Sequence, residues 1–526
     1  MPDRHHRHFD FIIIGSGFGG SVATLRLAEK GYRIAVIEKG RRYRPEDFPR
    51  TSWNLRKFLW MPQVGCYGIQ CLTLLKHVFI LHGAGVGGGS LVYANQLLTP
   101  PDSVFKKPEW GPGEWKARLA PHYQEARRML GVAPSPSVGT ADEILAAVGR
   151  EVRGKDTFHV NDVGVFFGEP GKTVPDPYFG GRGPDRTGCT LCSACMTGCR
   201  DGGKNTLDKN YLFLAEQMGV QVIPETEVIA VHPRGDHYLL QAKKSTGVRK
   251  PIRQYLTGGV VFSGGVLGTV KLLMRCKALG YLPRLSHRIG HGVRSNSEAI
   301  LGVRSRDPKA DYADNIAITS GIYPDDRTHI EVVRYRKGSD AMGLLTAPLT
   351  DGGEVVPRWK QLARTAVQRP LNFLQAVWPL GWARKTAILL VMQTSENQLR
   401  FDYAPRPWRL GRYSLNSKLP MDAERIPTYI PIANKVTRRM ADRVDGMPLG
   451  AWPDVLFNVP TTAHILGGAV MGESEQTGVT DFSGRVFGYP NMYIADGSVV
   501  PVNLGTNPAL TITALAEYIM STIPSK

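Results

Sequence analysis

The chain has no uninterrupted apolar run near the ~18 residues that a membrane-crossing helix needs. Its nearest stretch, Cys71–Ile80, is broken by Lys76 and His77. It does not open on a secretory leader either: Met1–His8 is polar and histidine-rich and runs straight into an apolar segment. The expectation is therefore a cytoplasmic protein with its thiols kept reduced. Zinc-finger spacing and aromatic RNA-binding motifs are missing, so nucleic acid is not expected as a partner. No internal repeats or long low-complexity tracts appear. Acidic residues are in short supply, with 46 Asp and Glu against 65 Lys and Arg, a formal net charge of +19. Spread along the chain, that excess suits an anionic cofactor, peripheral contact with a membrane surface, or simply a basic soluble enzyme. His5, His6 and His8 could ligate a metal, but at the head of the chain they read as a mobile arm.

What the chain does contain is apolar residues and glycine. At 526 residues and 42% hydrophobic it can bury the cores of two domains or of one large composite fold. Many of its 58 glycines cluster in loops beside apolar segments. FDFIII, at Phe9–Ile14, reads as a buried parallel strand and enters Gly15-Ser16-Gly17-Phe18-Gly19-Gly20. A helical spacing follows over Ser21–Lys30, closed by Gly31, and Arg33–Ile37 forms a second strand ending at Glu38. In such a unit Gly15 makes the tight turn, Gly17 lets backbone approach a pyrophosphate, and Gly20 lets helix pack on strand. The helix N-terminus attracts the phosphates. Glu38, 18 positions after Gly20, can accept from ribose hydroxyls. This segment alone fits NAD as well as FAD.

A second glycine-rich stretch, HGAGVGGGSLVYAN (His82–Asn95), can bring backbone amides against a flat ring or a phosphate. Near the C-terminus stand AHILGGAVMG (Ala463–Gly472), GRVFGYPNMYIADGSVVP (Gly484–Pro501) and GTNPALTITALAE (Gly505–Glu517). SGGVLGTVKLL (Ser263–Leu273) lies between the two ends. Together these segments resemble the glucose–methanol–choline (GMC) flavoprotein family, most closely its cholesterol oxidase branch. The matching motifs run from Asp10 to Glu517.

The resemblance implies an α/β, Rossmann-like, discontinuous FAD-binding domain (residues 1–45, 80–98, 204–300 and 465–526). Beside it comes an α+β substrate domain with a mainly antiparallel sheet (99–203 and 301–464), and residues 46–79 would cover the FAD as a lid. Carried over position by position, Gly15, Ser16, Gly17, Phe18, Gly19, Gly20, Glu38, Gly85, Gly87, Gly88, Gly89, Ser90 and Asn95 would bind the cofactor. Val228 would meet its adenine, and Asp496 and Gly497 its linker. Asn507 and Pro508 begin a helix whose positive end can face the flavin. His464 and Asn507 fall on the family's active-site pair, where an imidazole can take the hydroxyl proton and a carboxamide can clamp the same oxygen. Glu331, in THIEVVRY, stands where cholesterol oxidases place a cavity glutamate, although here His329 replaces an aromatic hydrocarbon two residues before it. A buried carboxylate there could shuttle protons beside a new ketone; a solvated strand glutamate is the other reading.

Cys189, Cys192, Cys195 and Cys199 are spaced C-x2-C-x2-C-x3-C, similar to bacterial ferredoxin ligation except that Arg200 replaces the following proline. A 3Fe-4S or 4Fe-4S cluster, a zinc site, or plain buried or redox thiols all remain open, with Cys66 or Cys71 as remote extra ligands. A cluster near the flavin would favour a dehydrogenase over an oxidase. Arg358–Lys385 interleaves basic residues with Trp359, Trp378 and Trp382. It reads as an amphipathic surface helix that could rest on a bilayer, or as a core-facing helix with a solvated face. Thr386–Arg400 is a candidate cavity-lining strand.

The leading expectation is oxidation of a sterol or similar hydrophobic secondary alcohol to its ketone, with or without double-bond isomerisation. Electrons would pass to oxygen, a quinone or a redox protein. Long-chain, terpenoid or sugar alcohols form the alternative, and a flavin and iron–sulfur electron carrier the reading of another class.

Overall fold

The protein is described by a computed structural model covering residues 8–406, 411–421 and 423–526; His5 and His6 lie outside the described residues. Two seven-stranded sheets organise the molecule. The first runs Gln221–Ile223, Ile34–Ile37, His8–Ile14, Ile252–Phe262, His237–Lys244, Thr226–Arg234. Met492–Ile494 pairs with Ile252–Phe262 in parallel, as do His8–Ile14 and its neighbours on that side, and the last two strands are antiparallel. Phe11–Ile14 is continuously apolar because both faces of the strand are covered there.

The turn after that strand forms as its glycines dictate. Gly15 sits at φ +99°, a backbone conformation that disfavours a side chain, and an added Cβ would lie 2.3 Å from the Ser263 carbonyl oxygen. The helix Phe18–Glu29 starts three residues earlier than the apolar spacing predicts, because its first turn is made of motif residues that face the cavity rather than the core. The C-terminal helix Ala509–Ser521 packs against it, and the pair is locked by Arg26, whose guanidinium meets Glu517 at 2.7 and 2.8 Å.

The second sheet is antiparallel throughout: Thr346–Pro348, Gly446–Ala451, Ala299–Ser305, Thr386–Gln393, Thr328–Val333, Ile318–Ile322, His159–Val160. Its alternating side chains divide between two apolar clusters. Leu301, Val303, Ile330, Val332, Leu389 and Val391 pack under the helices Thr140–Arg153 and Pro431–Arg443. Ile318, Val333, Ile388, Leu390 and Met392 form the opposite face. That second face looks toward the cofactor-binding side, because the period of two sends every other residue there.

Arg358–Lys385 is three short helices rather than one, Arg358–Gln368, Pro370–Val377 and Trp382–Lys385, with Pro370 starting the second. The core-facing reading fails for the first two. They bury only Arg358, Leu362 and Ala376, while Trp359, Val367, Leu371, Leu374 and Trp378 are exposed. Trp382 by contrast is buried.

Candidate active site

A single cavity of about 810 Å³ runs from the first glycine loop to the apolar face of the second sheet. At one end it is lined by Gly15, Ser16, Gly17, Phe18, Gly19, Glu38 and Val228, and further along by Gly88, Gly89, Asp496, Gly497 and Pro508. Cβ atoms added at Gly265 and Gly268, which also line it, would meet no protein atom within 4 Å, and one at Gly17 only the Gly88 Cα at 4.0 Å. Bare backbone facing open space of this kind is a cradle for a dinucleotide, and the residues present fit FAD.

Gly20, Gly85, Gly87, Ser90 and Asn95, predicted to touch the cofactor, do not line the cavity. Some of them have evident contacts within the protein instead. An added Cβ at Gly20 would lie 2.1 Å from the Gly15 carbonyl oxygen, so this glycine closes the turn. The Ser16 hydroxyl links the two loops, donating to Glu38 at 2.8 Å and accepting from the Gly87 amide at 3.2 Å. Glu38 is already engaged by the Ser16 and Gly40 amides at 3.0 and 2.7 Å, which orients the carboxylate at the cavity edge. Asp496 accepts from Ser498 and Thr269 at 2.5 and 2.6 Å, and its burial raises its pKa. Pro508 is the N-cap of Ala509–Ser521, one position before the first turn.

At the middle of the cavity His464 and Asn507 both reach the lining, and Glu331 closes the group from behind. Asn507 Nδ2 donates to Glu331 Oε2 at 3.0 Å, and Asn161 Nδ2 donates to Glu331 Oε1 at 2.8 Å. Asn161 also donates to Gln96 Oε1 at 2.6 Å, and Gln96 to the Ile318 carbonyl at 2.9 Å. Glu331 is fully buried, so the reading of a solvated strand glutamate does not hold. Burial pushes its pKa up to about 7, against the lowering effect of Asn507, His464 and Asn161. Asn507 Oδ1 is buried without a partner, a polar atom waiting for a ligand donor.

His464 Nδ1 lies 3.1 Å from Glu298 Oε2, which leaves Nε2 as the ring nitrogen available to a substrate. Burial works against the imidazolium, but Glu298 outweighs it and the pKa is raised. Glu298 is fully buried; it also takes hydrogen bonds from the Thr462 hydroxyl (2.8 Å) and the Ala463 amide (3.0 Å). Sequence reading missed Glu298, Asn161 and Gln96. The one available signal was that an acid directly before an apolar strand, as in NSEAIL, must find partners once buried.

Beyond His464 the cavity is lined by Ile300, Ile318, Val333, Tyr335, Met342 and Trp382, with Ile388 and Leu390 from the predicted lining strand. The hairpin Gln70–Leu75 and Val78–Gly83 forms part of the cofactor side of this wall.

Cys189, Cys192, Cys195 and Cys199 converge on one small pocket with Asp201 and Lys204, whereas Cys66 and Cys71 do not join them. Among the described residues, no group of three or more His, Cys, Asp or Glu side chains is arranged to hold a metal ion. Burial raises the thiol pKa of Cys189 to about 12 and of Cys195 to about 11. Lys204, fully buried and pushed down to about 7 by burial, donates to the carbonyls of Leu91 (3.0 Å) and Cys195 (2.7 Å). It thereby ties the cysteine segment to the second glycine loop, and Met196 enters the lining of the main cavity.

Comparison with known proteins bears on this arrangement. A cholesterol oxidase of Mycobacterium tuberculosis (strain ATCC 25618 / H37Rv) is 49% identical over 98% of this chain and 91% of its own length. One from Acinetobacter baumannii is 43% identical over 98% and 95%. The chain belongs to the GMC oxidoreductase family. The family model described as GMC oxidoreductase matches residues 430–516, and that for an FAD binding domain matches 10–45. A crystal structure of pyridoxine 4-oxidase from Mesorbium loti superposes with a TM-score of 0.61 at 14% identity, covering 97% of this chain and 98% of that one, a likeness of fold. This GMC protein is an FAD-dependent alcohol oxidoreductase, and its α/β fold with a largely antiparallel second sheet is the one expected.

Proposed function

We propose that the protein oxidises the hydroxyl of a sterol, a 3β-hydroxysteroid, to the ketone. The observation that carries this reading is the placement of His464, Asn507 and Glu331 where the dinucleotide cradle gives way to a long apolar pocket. Bound FAD supplies the hydride acceptor. His464, oriented through Nδ1 by Glu298, presents Nε2 to the hydroxyl and takes its proton. Asn507, held by Glu331, offers its free carboxamide oxygen and aims the C–H bond. The apolar walls exclude water and fit a rigid hydrocarbon better than a sugar, whose hydroxyls would go unpaired there. Glu331, poised near neutrality, serves as the base that moves a proton next to the new carbonyl and shifts a neighbouring double bond.

The names of the two bacterial relatives support a sterol as substrate and oxygen as the acceptor. A second reading rests on the convergence of four thiols beside Met196. In it Cys189, Cys192, Cys195 and Cys199, which would have to draw closer than they stand here, would hold a 3Fe-4S or 4Fe-4S cluster that would supply one-electron transfer to a quinone or redox protein. Iron analysis and low-temperature spin resonance of anaerobically prepared protein decide between the two. The exposed apolar residues of Arg358–Val377 support a further element of the proposal, transient docking on the membrane that holds the sterol.

The test is anaerobic mixing with a panel of alcohols. A 3β-hydroxysteroid should bleach the flavin absorbance, and long-chain or sugar alcohols should do so far more slowly; the reverse order overturns the assignment. In Glu331→Gln the ketone should form without the conjugated enone, whose ultraviolet band reports the double-bond shift. In the parent protein, enone formation should grow as pH rises through about 7, where Glu331 ionises.

A further inference from the structure

Behind Glu331, on the side away from the cofactor cradle, lie two histidines that the reaction described above does not use. His329 stands two residues before Glu331 in Thr328–Val333, so both side chains leave the same face of the strand about 7 Å apart. His329 is fully buried, and its Nε2 lies 3.1 Å from Nε2 of His159 on the neighbouring edge segment. The two rings stack at 5.1 Å with 19° between their planes, and Tyr323 stacks on His329 at 4.6 Å. Space for the pair is reserved by Gly321 on the strand between them. A Cβ there would lie 2.4 Å from His329 Nε2 and 3.2 Å from His159 Nε2.

The hydrogen bonds fix the protons. His159 Nδ1 is 3.0 Å from the Thr157 carbonyl, an acceptor only, so Nδ1 carries hydrogen and Nε2 of the neutral ring accepts. His329 must then donate from Nε2, which leaves its Nδ1 as a bare lone pair. That Nδ1 is buried and has no partner. Burial drives the pKa of both rings down, His329 well below the usual value, so neither holds a proton for long. An unpaired lone pair of this kind, sealed in the core and backed by a second ring at the half-buried rim, is placed to take a proton and pass it on without keeping it.

Oxidation of a secondary alcohol leaves exactly one proton to dispose of. Two electrons and one hydrogen depart together as hydride, the C–O bond becomes C=O, and the hydroxyl proton stays inside the site, shared by His464 and Glu331. We propose that His329 and His159 form the relay by which this proton leaves. Glu331 gives a proton through one bound water to Nδ1 of His329. The Nε2 proton of His329 moves to Nε2 of His159, and His159 releases one proton to bulk water. A turn of each imidazole about its Cβ–Cγ bond, rather than a backward proton transfer, then presents an unprotonated nitrogen toward Glu331 again and resets the path. One proton enters and one leaves. The inference rests on the proposed alcohol oxidation.

The experiment follows flavin bleaching and proton appearance together, in one anaerobic stopped-flow run with a 3β-hydroxysteroid and an indicator dye in weak buffer. The parent protein should release one proton in step with bleaching. In His329→Gln and His159→Ala the first bleaching should keep its rate while proton appearance slows about tenfold or more and steady turnover falls with it. Added imidazole should restore His159→Ala, whose site opens at the rim, and not His329→Gln, whose site is closed. Gly321→Ala, which displaces the pair without altering it chemically, should behave as His329→Gln does. If His329→Gln loses FAD, the rim variant and its rescue give the same reading. Proton release in step with bleaching in both histidine variants overturns the relay. No bleaching in the parent protein would instead overturn the proposed reaction, and the relay with it.

Discussion

At the scale of single residues, the site is an exercise in fixing three side chains that cannot fix themselves. A neutral His464 could carry its hydrogen on either ring nitrogen; the Glu298 carboxylate, 3.1 Å from Nδ1, favours the hydrogen there. Replacing His464 with Gln should therefore slow flavin reduction by roughly 10²–10⁴-fold with FAD content unchanged, as read by anaerobic stopped-flow absorbance. Replacing Glu298 with Gln acts differently. Because Glu298 holds the imidazole pKa above its ordinary value, a larger share of His464 is protonated at a given pH, and only the neutral ring accepts a proton. The acid limb of kcat/KM should move to lower pH in Glu298→Gln, although the plateau falls as the ring loses its orientation. An unmoved limb would show that another group controls it.

The functional residues divided sharply in how far they could be read. His464 and Asn507, which the structure brings together with Glu331, could be named from the sequence because they sit in glycine-marked segments that resemble the family, and Glu331 from a looser likeness of position. Glu298, Asn161, Gln96 and the His159–His329 pair could not, since their partners lie tens to hundreds of positions away and short-range pattern carries no trace of them. His159 and His329 are 170 residues apart and meet only because their strands flank Ile318–Ile322.

At the scale of elements, the order strand–turn–helix–strand at the head of the chain was legible, with the helix start three residues off, because glycine spacing and apolar runs are local signals. What the pattern could not show is which glycines face the ligand and which face protein. The distinction is testable. Gly17 has ordinary φ (−73°), and a methyl group there would project toward open space. Gly17→Ala should bind FAD less tightly while leaving the melting temperature of the cofactor-free protein unchanged. Gly15→Ala, with its positive φ and a clash against Ser263, should lower that melting temperature, at a cost of about 1–3 kcal/mol or more. Similar melting curves for the two apoproteins would contradict the division. The Arg358–Lys385 segment stayed between two readings at this scale. Amphipathic spacing says that an apolar face exists, but not whether protein covers it, and in Arg358–Gln368 and Pro370–Val377 protein covers little.

At the scale of the whole molecule, the helix Pro370–Val377 packs on the strand Thr346–Pro348, whose Thr346 lines the cavity together with Met342, Leu345 and Trp382. On the proposed membrane docking, the net charge of +19 would draw the protein toward an anionic surface before any apolar contact forms. Leu371→Glu combined with Leu374→Glu should reduce turnover of sterol presented in anionic vesicles several-fold while sparing turnover of the same sterol in detergent, since each buried leucine contributes about 1.5–3 kcal/mol to insertion. Equal losses in the two media would locate the defect in the pocket instead.

The central strand Ile252–Phe262 is paired on one side with His8–Ile14 and on the other with Met492–Ile494, and Asn507 follows only after the last of these. A nascent polypeptide leaving the ribosome thus carries half a cofactor site for most of its synthesis. The glycine loop emerges first, yet it has nothing to close upon until translation has passed the final helix and Glu517 can reach back to Arg26. A product shortened by about its last twenty residues would keep Met492–Ile494 in the sheet but lose Asn507, Pro508 and the helix Ala509–Ser521, and with them the Arg26–Glu517 lock and part of the cavity wall, a substrate for proteolysis rather than a partial enzyme.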